Sequence, residues 1–146
     1  KEFKKNNLVN IIRQANISEN KFKYTLRGFH YQINPFGEDK TLTCIKGSIY
    51  DIVVDLRPKS KTYMKWCSFQ IDEKNKNLIH IPKGCANAFL TLKNNTIVQY
   101  NSSEFYKPKH EKGIRYNDPL FQFEWPQKPK IISDKDLSHP NYIMIK

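Results

Sequence analysis

An arginine and a histidine lie three residues apart in the segment 26–32, LRGFHYQ, which also contains a glycine. His30 is one of only four histidines in the chain, and strand alternation places it on an inner face. An imidazole titrates near neutral pH, so His30 beside the fixed charge of Arg27 suits proton removal from an anionic substrate. The alternative is a structural histidine, buried and bonded to a backbone carbonyl. The rest of the sequence favours the first interpretation.

Other kinds of catalytic site have weaker signals in this sequence. His80 lies in an apolar strand-like run, whereas His110 and His139 stand alone in polar loops. We therefore expect no metal site. The five glycines form no phosphate-binding loop, and no serine or cysteine lies in a nucleophile elbow. A phosphate group must then be bound by arginine, lysine and backbone amides.

The spacing of apolar residues predicts an all-β fold. With 146 residues, the chain is expected to form one domain, 1–146, around a single core. From residue 41 onwards, short apolar runs alternate with Gly, Pro and Asn turns, which is typical of an antiparallel sandwich or barrel. The predicted strands cover residues 41–45, 48–56, 66–71, 78–81, 86–92 and 96–100.

Helix is expected only at the two ends of the chain. Residues 1–7 suit one amphipathic turn. The hydroxyl of Ser133 can cap a second turn that contains Asp134 and Asp136. No helical period persists through the middle of the chain, so any catalytic residue there must be positioned by strands and loops.

The net charge of +11 comes mostly from lysine. Basic charge attracts anions such as nucleic acid, acidic lipid or a phosphorylated small molecule. We interpret most of the lysine surplus as solvation of polar loops, and expect neither a nucleic-acid nor a membrane partner. The longest apolar runs, such as 52–54, are too short to span a bilayer, and no cleavable signal is visible. Arg57 could bind either a phosphate or a neighbouring carboxylate.

The cysteines indicate a compartment. Cys44, Cys67 and Cys85 are odd in number, lie in apolar strand-like runs and lack the spacing of metal ligands. We therefore expect three small buried thiols in a reducing cytoplasm.

Seven sequence blocks remain to be explained. They are QAN at 14–16, LRGFHYQ at 26–32, NPF at 34–36 followed by Lys40, DLR at 55–57, IPKGCANAF at 81–89, the segment 106–119 and SDKD at 133–136. In this order and spacing the chain resembles the dTDP-4-dehydrorhamnose 3,5-epimerase family over about nine tenths of its length.

The resemblance implies a fold and an activity. The fold is a cupin-type antiparallel β jelly roll with short terminal helical segments, usually a homodimer that exchanges N-terminal strands. The activity is that of a cofactor-free isomerase, which inverts carbons beside the ketone of nucleotide-linked 4-keto-6-deoxy sugars. Such a reaction belongs to bacterial surface polysaccharide or deoxysugar biosynthesis.

The resemblance also implies four catalytic residues. His30 matches the base, and Asp136 matches the carboxylate that orients its imidazole. Tyr106 matches the proton donor on the opposite face of the sugar, and Lys40 matches the lysine that stabilises the enolate oxygen. These types suit the reaction, because a carbon acid beside a ketone is weak and needs both a well-placed base and a stabilised enolate.

The substrate-binding positions match less completely. Arg27 and Gln14 match contacts to the sugar nucleotide. Asn87 stands where the family commonly has histidine; its amide can bind a sugar hydroxyl or the keto oxygen but cannot titrate. The family's N-terminal strand, which reaches the neighbouring subunit's nucleotide site, is not found. A dTDP-hexose and a GDP-6-deoxy-heptose both remain possible substrates, and either one or both centres could be inverted.

Three functions can be compared. A cytoplasmic epimerase predicts that solvent deuterium enters a 4-keto sugar nucleotide. A catalytically weakened jelly roll that binds sugar nucleotides or glycans, suggested by Asn87, predicts binding without exchange. A basic nucleic-acid-binding barrel predicts an affinity that falls steeply with salt, but it leaves the ordered blocks unexplained.

Overall fold

The computed structural model describes residues 2–8 and 11–144, and most of its regular structure is β-strand. In chain order its elements are α1 (Glu2–Lys5), β1 (Gln14–Asn20), β2 (Thr25–Gln32), β3 (Lys40–Lys46), β4 (Ser48–Asp55), β5 (Trp66–Asp72), β6 (Leu78–Ile81), β7 (Cys85–Thr91), β8 (Thr96–Ser102), β9 (Glu111–Gly113), β10 (Ile131–Ile132) and α2 (Asp134–Leu137). The all-β prediction and its terminal helical turns are confirmed. No helix in the described ranges is long and apolar enough to cross a membrane.

The strands form two sheets that enclose an apolar core. One sheet has the strand order β1-β8-β3-β6, and the other has the order β10-β2-β7-β4-β5 with β9 also paired to β2. Every pairing among the described strands is antiparallel except the short parallel pair of β10 and β2. Leu42 and Val98 from the first sheet pack with Ile49 and Phe89 from the second. This arrangement is a β-sandwich, as expected of a jelly roll.

The C-terminal third of the chain covers the outer face of the larger sheet. Phe29, fully buried on that face, stacks on Phe123 with ring centroids 4.3 Å apart. Trp66 donates a hydrogen bond from its indole Nε1 to the backbone oxygen of Phe121 at 3.0 Å. Because aromatic burial anchors this segment on the sheet, the chain returns beside β2 and carries α2 to it.

The strand β1 was not predicted. Gln14, Asn16 and Ser18 are half-buried, whereas the residues between them are exposed, including Ile17. This strand is an edge strand, and its inward positions carry polar side chains. Since hydrophobic alternation is the main sequence signal of a strand, a strand with a polar inner face lacks it.

The expectation of three buried thiols is wrong for one cysteine. Cys44 and Cys85 are buried, whereas Cys67 is exposed, and all three are free. Cys67 lies on β5, which is the edge strand of the larger sheet and alternates between half-buried and exposed residues over its first half. An apolar run on an edge strand need not be covered, which is why the local sequence overstated its burial.

Candidate active site

A cavity of about 350 Å³ lies between the two sheets, a size typical of small-molecule sites. Strands from both sheets line it, together with α2 and the loop after β8. Six of the seven predicted site residues are on its wall: Gln14, Arg27, His30, Lys40, Asn87 and Tyr106. The seventh, Asp136, is almost fully buried and bonds to His30. The fold therefore brings together residues that are separated by up to 122 positions (136 − 14) in the chain.

A register shift in β2 turns Arg27 and His30 towards the same cavity. In a regular strand, residues three apart point to opposite faces. The pairing of β2 with β7 shifts between Gly28 and His30, so Gly28 lies opposite Ala88 while His30 lies opposite Asn87. Such a bulge re-aims the side chains that follow it, and both Arg27 and His30 line the cavity.

Only glycine fits at position 28. Its φ is +113°, which L side chains rarely adopt. A Cβ at this position would lie 2.5 Å from the backbone oxygen of Asn87 and 2.7 Å from the Cα of Ala88. The close approach of β2 to β7, and with it the direction of His30, depends on the absence of a side chain here.

His30 and Asp136 form a hydrogen-bonded pair beside the cavity. Nε2 of His30 lies 2.6 Å from Oδ1 of Asp136, and the backbone N–H of Gly28 donates to Oδ2 at 3.3 Å. Burial raises the pKa of Asp136, but the hydrogen bond and charge of His30 outweigh it and hold that pKa below its usual value. An ionised carboxylate only accepts hydrogen bonds, so Nε2 carries the proton and Nδ1 is left as the basic nitrogen.

The cap predicted at Ser133 is confirmed, and it positions Asp136. The hydroxyl of Ser133 accepts a hydrogen bond from the backbone N–H of Asp136 at 3.1 Å, which starts the single turn of α2. This turn contacts β2. The carboxylate is therefore supported by its own backbone as well as by Gly28 and His30.

Lys40 is held in one place at the wall of the cavity. Its ammonium group donates to the backbone oxygen of His30 at 3.1 Å and lies 3.2 Å from Oε1 of Glu38. Both side chains are largely buried, at 12% and 9% exposure. A buried ammonium with two fixed partners is a positive charge whose position is set before any ligand arrives.

Two glutamines position the loop that carries Tyr106. Oε1 of Gln14 accepts the backbone N–H of Tyr106 at 2.9 Å. Gln32 is buried and donates from Nε2 to the backbone oxygen of Phe105 at 3.2 Å, and its Oε1 accepts the backbone N–H of Lys107. Gln14 thus supports the tyrosine in addition to lining the cavity, and Gln32 is a support that the sequence analysis did not identify.

The hydroxyl of Tyr106 belongs to a polar triad with Glu111 and Lys135. It donates to Oε2 of Glu111 at 2.7 Å, and Nζ of Lys135 lies 3.3 Å from the same hydroxyl and contacts the same carboxylate. The hydrogen bond to Glu111 raises the pKa of Tyr106. The phenol is therefore protonated at neutral pH. Glu111 lies in the family-matching segment 106–119 and Lys135 in the segment 133–136. Nothing else in the sequence pointed to either residue.

Asn87 is bonded to a buried carboxyl group. Its Nδ2 donates to Oδ1 of Asp51 at 3.0 Å, and Asp51 is fully buried. Burial raises the pKa of Asp51 to about 8, although Asn87 and Lys40 act in the opposite direction. Asp51 is therefore mostly protonated at neutral pH. Since Asp51 engages one N–H of its Nδ2, Asn87 offers a ligand its second N–H as a donor and its carbonyl oxygen as an acceptor.

We expect Asp51→Asn to remove a pH dependence of stability. Between the ordinary carboxyl pKa and about 8, folded Asp51 holds a proton that the unfolded chain has released. The free energy of unfolding of the native sequence should then fall as pH rises through this window, by at most about 1.4 kcal/mol per pH unit, and level off above it. Asparagine keeps the bond with Asn87 and cannot ionise, so the variant should gain stability over the native chain as pH rises.

Urea unfolding at pH 5 to 9 measures this difference. Asp134→Asn, at an exposed carboxylate, serves as the matched control and should follow the pH dependence of the native sequence. An Asp51→Asn variant that also follows it would mean that Asp51 is already ionised in the folded protein at neutral pH.

The sequence suggested that His139 stands alone, but in the structure it lies beside His30 and Asp136. Its ring lies 5.6 Å from that of His30, and its Nε2 is 3.7 Å from Oδ1 of Asp136. The donor atoms of these three residues lie within 4.8 Å of one another, and two histidines with a carboxylate suit several divalent metals. However, His30 and Asp136 are already at hydrogen-bond distance, so an ion would have to replace the proton between them.

Arg57 binds a neighbouring carboxylate. Its Nε and Nη2 donate to the two oxygens of Asp55, each at 2.8 Å. Burial alone would raise the pKa of Asp55. The hydrogen bonds from Arg57 and from Ser60 outweigh burial and hold that pKa well below the usual range. A bidentate pair leaves Arg57 engaged, so of the two interpretations the carboxylate contact is the one observed.

Comparisons with known proteins place this site in context. A family model described as dTDP-4-dehydrorhamnose 3,5-epimerase matches residues 1–143. Curated relatives with that name include one from Sinorhizobium fredii, 36% identical over 118 residues, and one from Escherichia coli K12, 37% identical over 115 residues. The alignments cover 80% and 78% of this chain. They span only 60% and 62% of the two relatives.

Solved structures agree with the sequence relatives. A dTDP-4-dehydrorhamnose 3,5-epimerase from Bacillus anthracis with TDP and PPi bound is 34% identical, with a TM-score of 0.94 over 97% of this chain and 81% of that one. An epimerase from Legionella pneumophila in complex with dTDP-4-keto-L-rhamnose is 29% identical, with a TM-score of 0.88 over 94% of this chain and 73% of that one. The expected jelly-roll fold is thereby confirmed.

Proposed function

Since the chain belongs to the dTDP-4-dehydrorhamnose 3,5-epimerase family, we propose that it is an isomerase that epimerises a nucleotide-linked 4-keto-6-deoxy sugar. It inverts C3, or both C3 and C5, without a cofactor. The observation that carries the proposal is the pair of His30 and Asp136, which borders the same cavity as Lys40 and Tyr106. A base, an oriented cation and a protonated phenol are the groups that such a reaction requires.

The proposed reaction moves protons only. Nδ1 of His30 takes the proton from the carbon beside the ketone, and the electron pair of that C–H bond moves into the enolate. The ionised Asp136 stabilises the imidazolium that forms, because Nε2 already donates to it. Tyr106 then gives its hydroxyl proton to the same carbon from the opposite face, and the enolate returns to the ketone with inverted configuration.

Lys40 stabilises the enolate oxygen in this proposal. The carbonyl oxygen of His30 and the carboxylate of Glu38 fix its ammonium group. Because that orientation precedes substrate binding, no reorganisation is needed when negative charge develops. Glu38 offsets part of the positive charge, so the free proton of the ammonium group supplies the main interaction.

The diphosphate and nucleoside are expected along β1 and β2. Gln14, Asn16 and Ser18 present polar side chains to the cavity, and Arg27 supplies a fixed cation. Arginine suits phosphate because its guanidinium can donate two parallel hydrogen bonds. The ligands named for the Bacillus and Legionella structures favour a dTDP-linked hexose, and a GDP-linked 6-deoxy-heptose is the second substrate to test.

Asn87 favours one alternative function. Its amide group cannot act as a general acid or base, and one N–H of its Nδ2 is engaged by Asp51. A jelly roll that binds a sugar nucleotide without epimerising it would retain such a contact. The alternative differs from the proposal in one respect, because it predicts ligand binding without proton exchange.

The proposal includes a homodimer that acts in the cytoplasm. The edge strand β1 leaves Ile17 67% exposed, and Ile12 just before it is 62% exposed. Large apolar side chains at an unpaired sheet edge favour association with a second copy. The three free cysteines agree with a reducing compartment. Light scattering should give a mass of twice 17.3 kDa, and the monomer mass would contradict the dimer.

Incubation with sugar nucleotides in heavy water tests the function. The protein is mixed separately with a dTDP-4-keto-6-deoxyhexose and with a GDP-4-keto-6-deoxyheptose, and NMR locates deuterium at C3 and C5. Label at one or both carbons together with an inverted product supports the epimerase. Binding detected by calorimetry without label supports the sugar-nucleotide binder instead. Absence of both binding and label overturns the proposal.

A further inference from the structure

A second imidazole, that of His139, lies beside His30 with a buried ring nitrogen that has no hydrogen-bond partner among the described residues. Its side chain is 12% exposed, and the nitrogen without a partner is Nε2. Its ring meets that of His30 edge to face, at an interplanar angle of 79°. The same Nε2 lies 3.7 Å from Oδ1 of Asp136, the oxygen that binds His30. Two imidazoles therefore approach one carboxylate oxygen, and one of them is already bonded to it.

Gly113 provides the space for this ring. On β9 it is the register partner of His30. A Cβ at Gly113 would lie 2.2 Å from Nε2 of His139 and 2.3 Å from its two adjacent carbons. Any side chain at position 113 would therefore push the imidazole away from His30 and Asp136. The glycine and the histidine together fill the volume beside the base.

Burial, together with the charge of His30, lowers the pKa of His139 and keeps its imidazole neutral. His30 on β2 faces it, as do Asp136 and Lys135 on α2 and Glu111 on β9. Of these, Asp136 and Glu111 act in the opposite direction on that pKa. A neutral imidazole with its proton on Nε2 points a donor towards Asp136, and a small rotation would close the gap to hydrogen-bond distance.

We propose that His139 is a positioning residue for the general base. Uncharged, it fills the space over Gly113 and confines the ring of His30 and the carboxylate of Asp136 to their paired geometry. Protonated, it becomes a second cation that competes with His30 for the same carboxylate oxygen. The rate of exchange by His30 then depends also on the protonation state of His139 as the pH falls. This inference rests on the proposed function of His30 as the base.

Two variants separate positioning from filling of space. His139→Leu keeps an apolar side chain of similar volume but removes the nitrogen, and His139→Gln restores an N–H near the place of Nε2. We expect His139→Leu to lower kcat for deuterium exchange about tenfold, at the low end of the loss seen when a residue that orients a metal-binding histidine is removed, with little change in KM. His139→Gln should recover most of that loss. His110→Leu, at a histidine outside the cavity lining, is the matched control.

The acid side of the pH profile provides a readout that a purely structural role would not change. In the native protein, the logarithm of the exchange rate should fall with a limiting slope of two as pH decreases. Both His139 variants should fall with a slope of one, because the second imidazole has been removed. A native slope of one, or an unchanged slope of two in the variants, would overturn the inference. Thermal melting of each variant verifies that the fold is retained.

A measurement without substrate tests the same inference independently of the reaction. Nitrogen-15 NMR of the imidazole groups reports which ring nitrogen of His30 carries the proton. The native protein should show His30 protonated on Nε2 alone, whereas in His139→Leu the loosened pair with Asp136 should leave a fraction of His30 protonated on Nδ1. An unmixed tautomer in the variant contradicts a positioning role. If the native protein exchanges no sugar proton, the proposed function fails while this measurement still decides the role of His139.

Discussion

Replacement of His30 by asparagine is expected to lower solvent-deuterium exchange into the 4-keto sugar by about 10²- to 10⁴-fold, the usual contribution of a general base. The backbone N–H of Gly28 still donates to Asp136, so the geometry of β2 is retained, although the asparagine amide ends near the place of Nδ1 and does not reach the carboxylate. That amide has no basic nitrogen and cannot take a proton from carbon. NMR in heavy water measures the rate, and calorimetry with dTDP should find the affinity unchanged because the nucleotide contacts lie elsewhere.

His110→Asn is the matched control for this experiment. His110 packs against Phe36 with ring centroids 4.6 Å apart and is not part of the cavity lining. Its replacement should leave the exchange rate unchanged. If the His30 variant exchanges as fast as the control, another group removes the proton. The assignment of His30 and Asp136 would then be wrong, whereas the fold and the family would stand.

Replacement of Tyr106 by phenylalanine is expected to separate two steps of the reaction. Without the hydroxyl, the carbanion cannot be protonated from the opposite face, so inversion should fall by about 10²-fold or more. His30 can still remove and return a proton on its own face, so deuterium exchange with retention should fall much less. NMR follows both quantities in one sample, since label content and configuration at C3 are read from the same spectrum.

The local structure makes this substitution conservative. Glu111 and Lys135 remain paired when the phenol is removed, and the backbone of Tyr106 is still held by Gln14. Tyr116→Phe, outside the cavity, is the control and should change neither quantity. An equal loss of exchange and inversion in the Tyr106 variant would assign the tyrosine a role in binding or in enolate formation rather than in opposite-face protonation.

Most strands could be predicted because they are short apolar runs separated by Gly, Pro and Asn turns. The runs of β4 and β7 are apolar on both faces, since one face packs between the sheets and the other is covered by the C-terminal segment. The polar strand β1 could not be predicted, because its inner positions line a cavity instead of the core. A cavity removes the hydrophobic signal from the strand that forms its wall.

The candidate site shows the same division between local and long-range information. Segment 26–32 and the order of the blocks identified His30, Lys40 and Tyr106 as candidates, because the types of residue needed for proton transfer are few. Arg27 and His30 face the same cavity because of a bulge in β2. Strand alternation alone would place them on opposite faces, so their shared orientation could not be predicted. Neither Glu111 nor His139 could be assigned a partner from its own sequence context.

The sequence by itself determined the fold class and the family and named candidate catalytic residues, since these follow from short-range periodicity and ordered local blocks. The tertiary structure alone decided which nitrogen of His30 is basic, which carboxyl group is ionised and which is protonated, and that His139 shares the oxygen of Asp136. The physical reason is that protonation depends on burial and on partners within a few ångströms. Those partners come from β2, β3, β4, β7, α2 and the residue His139 after it, whose separation along the chain carries no information about distance.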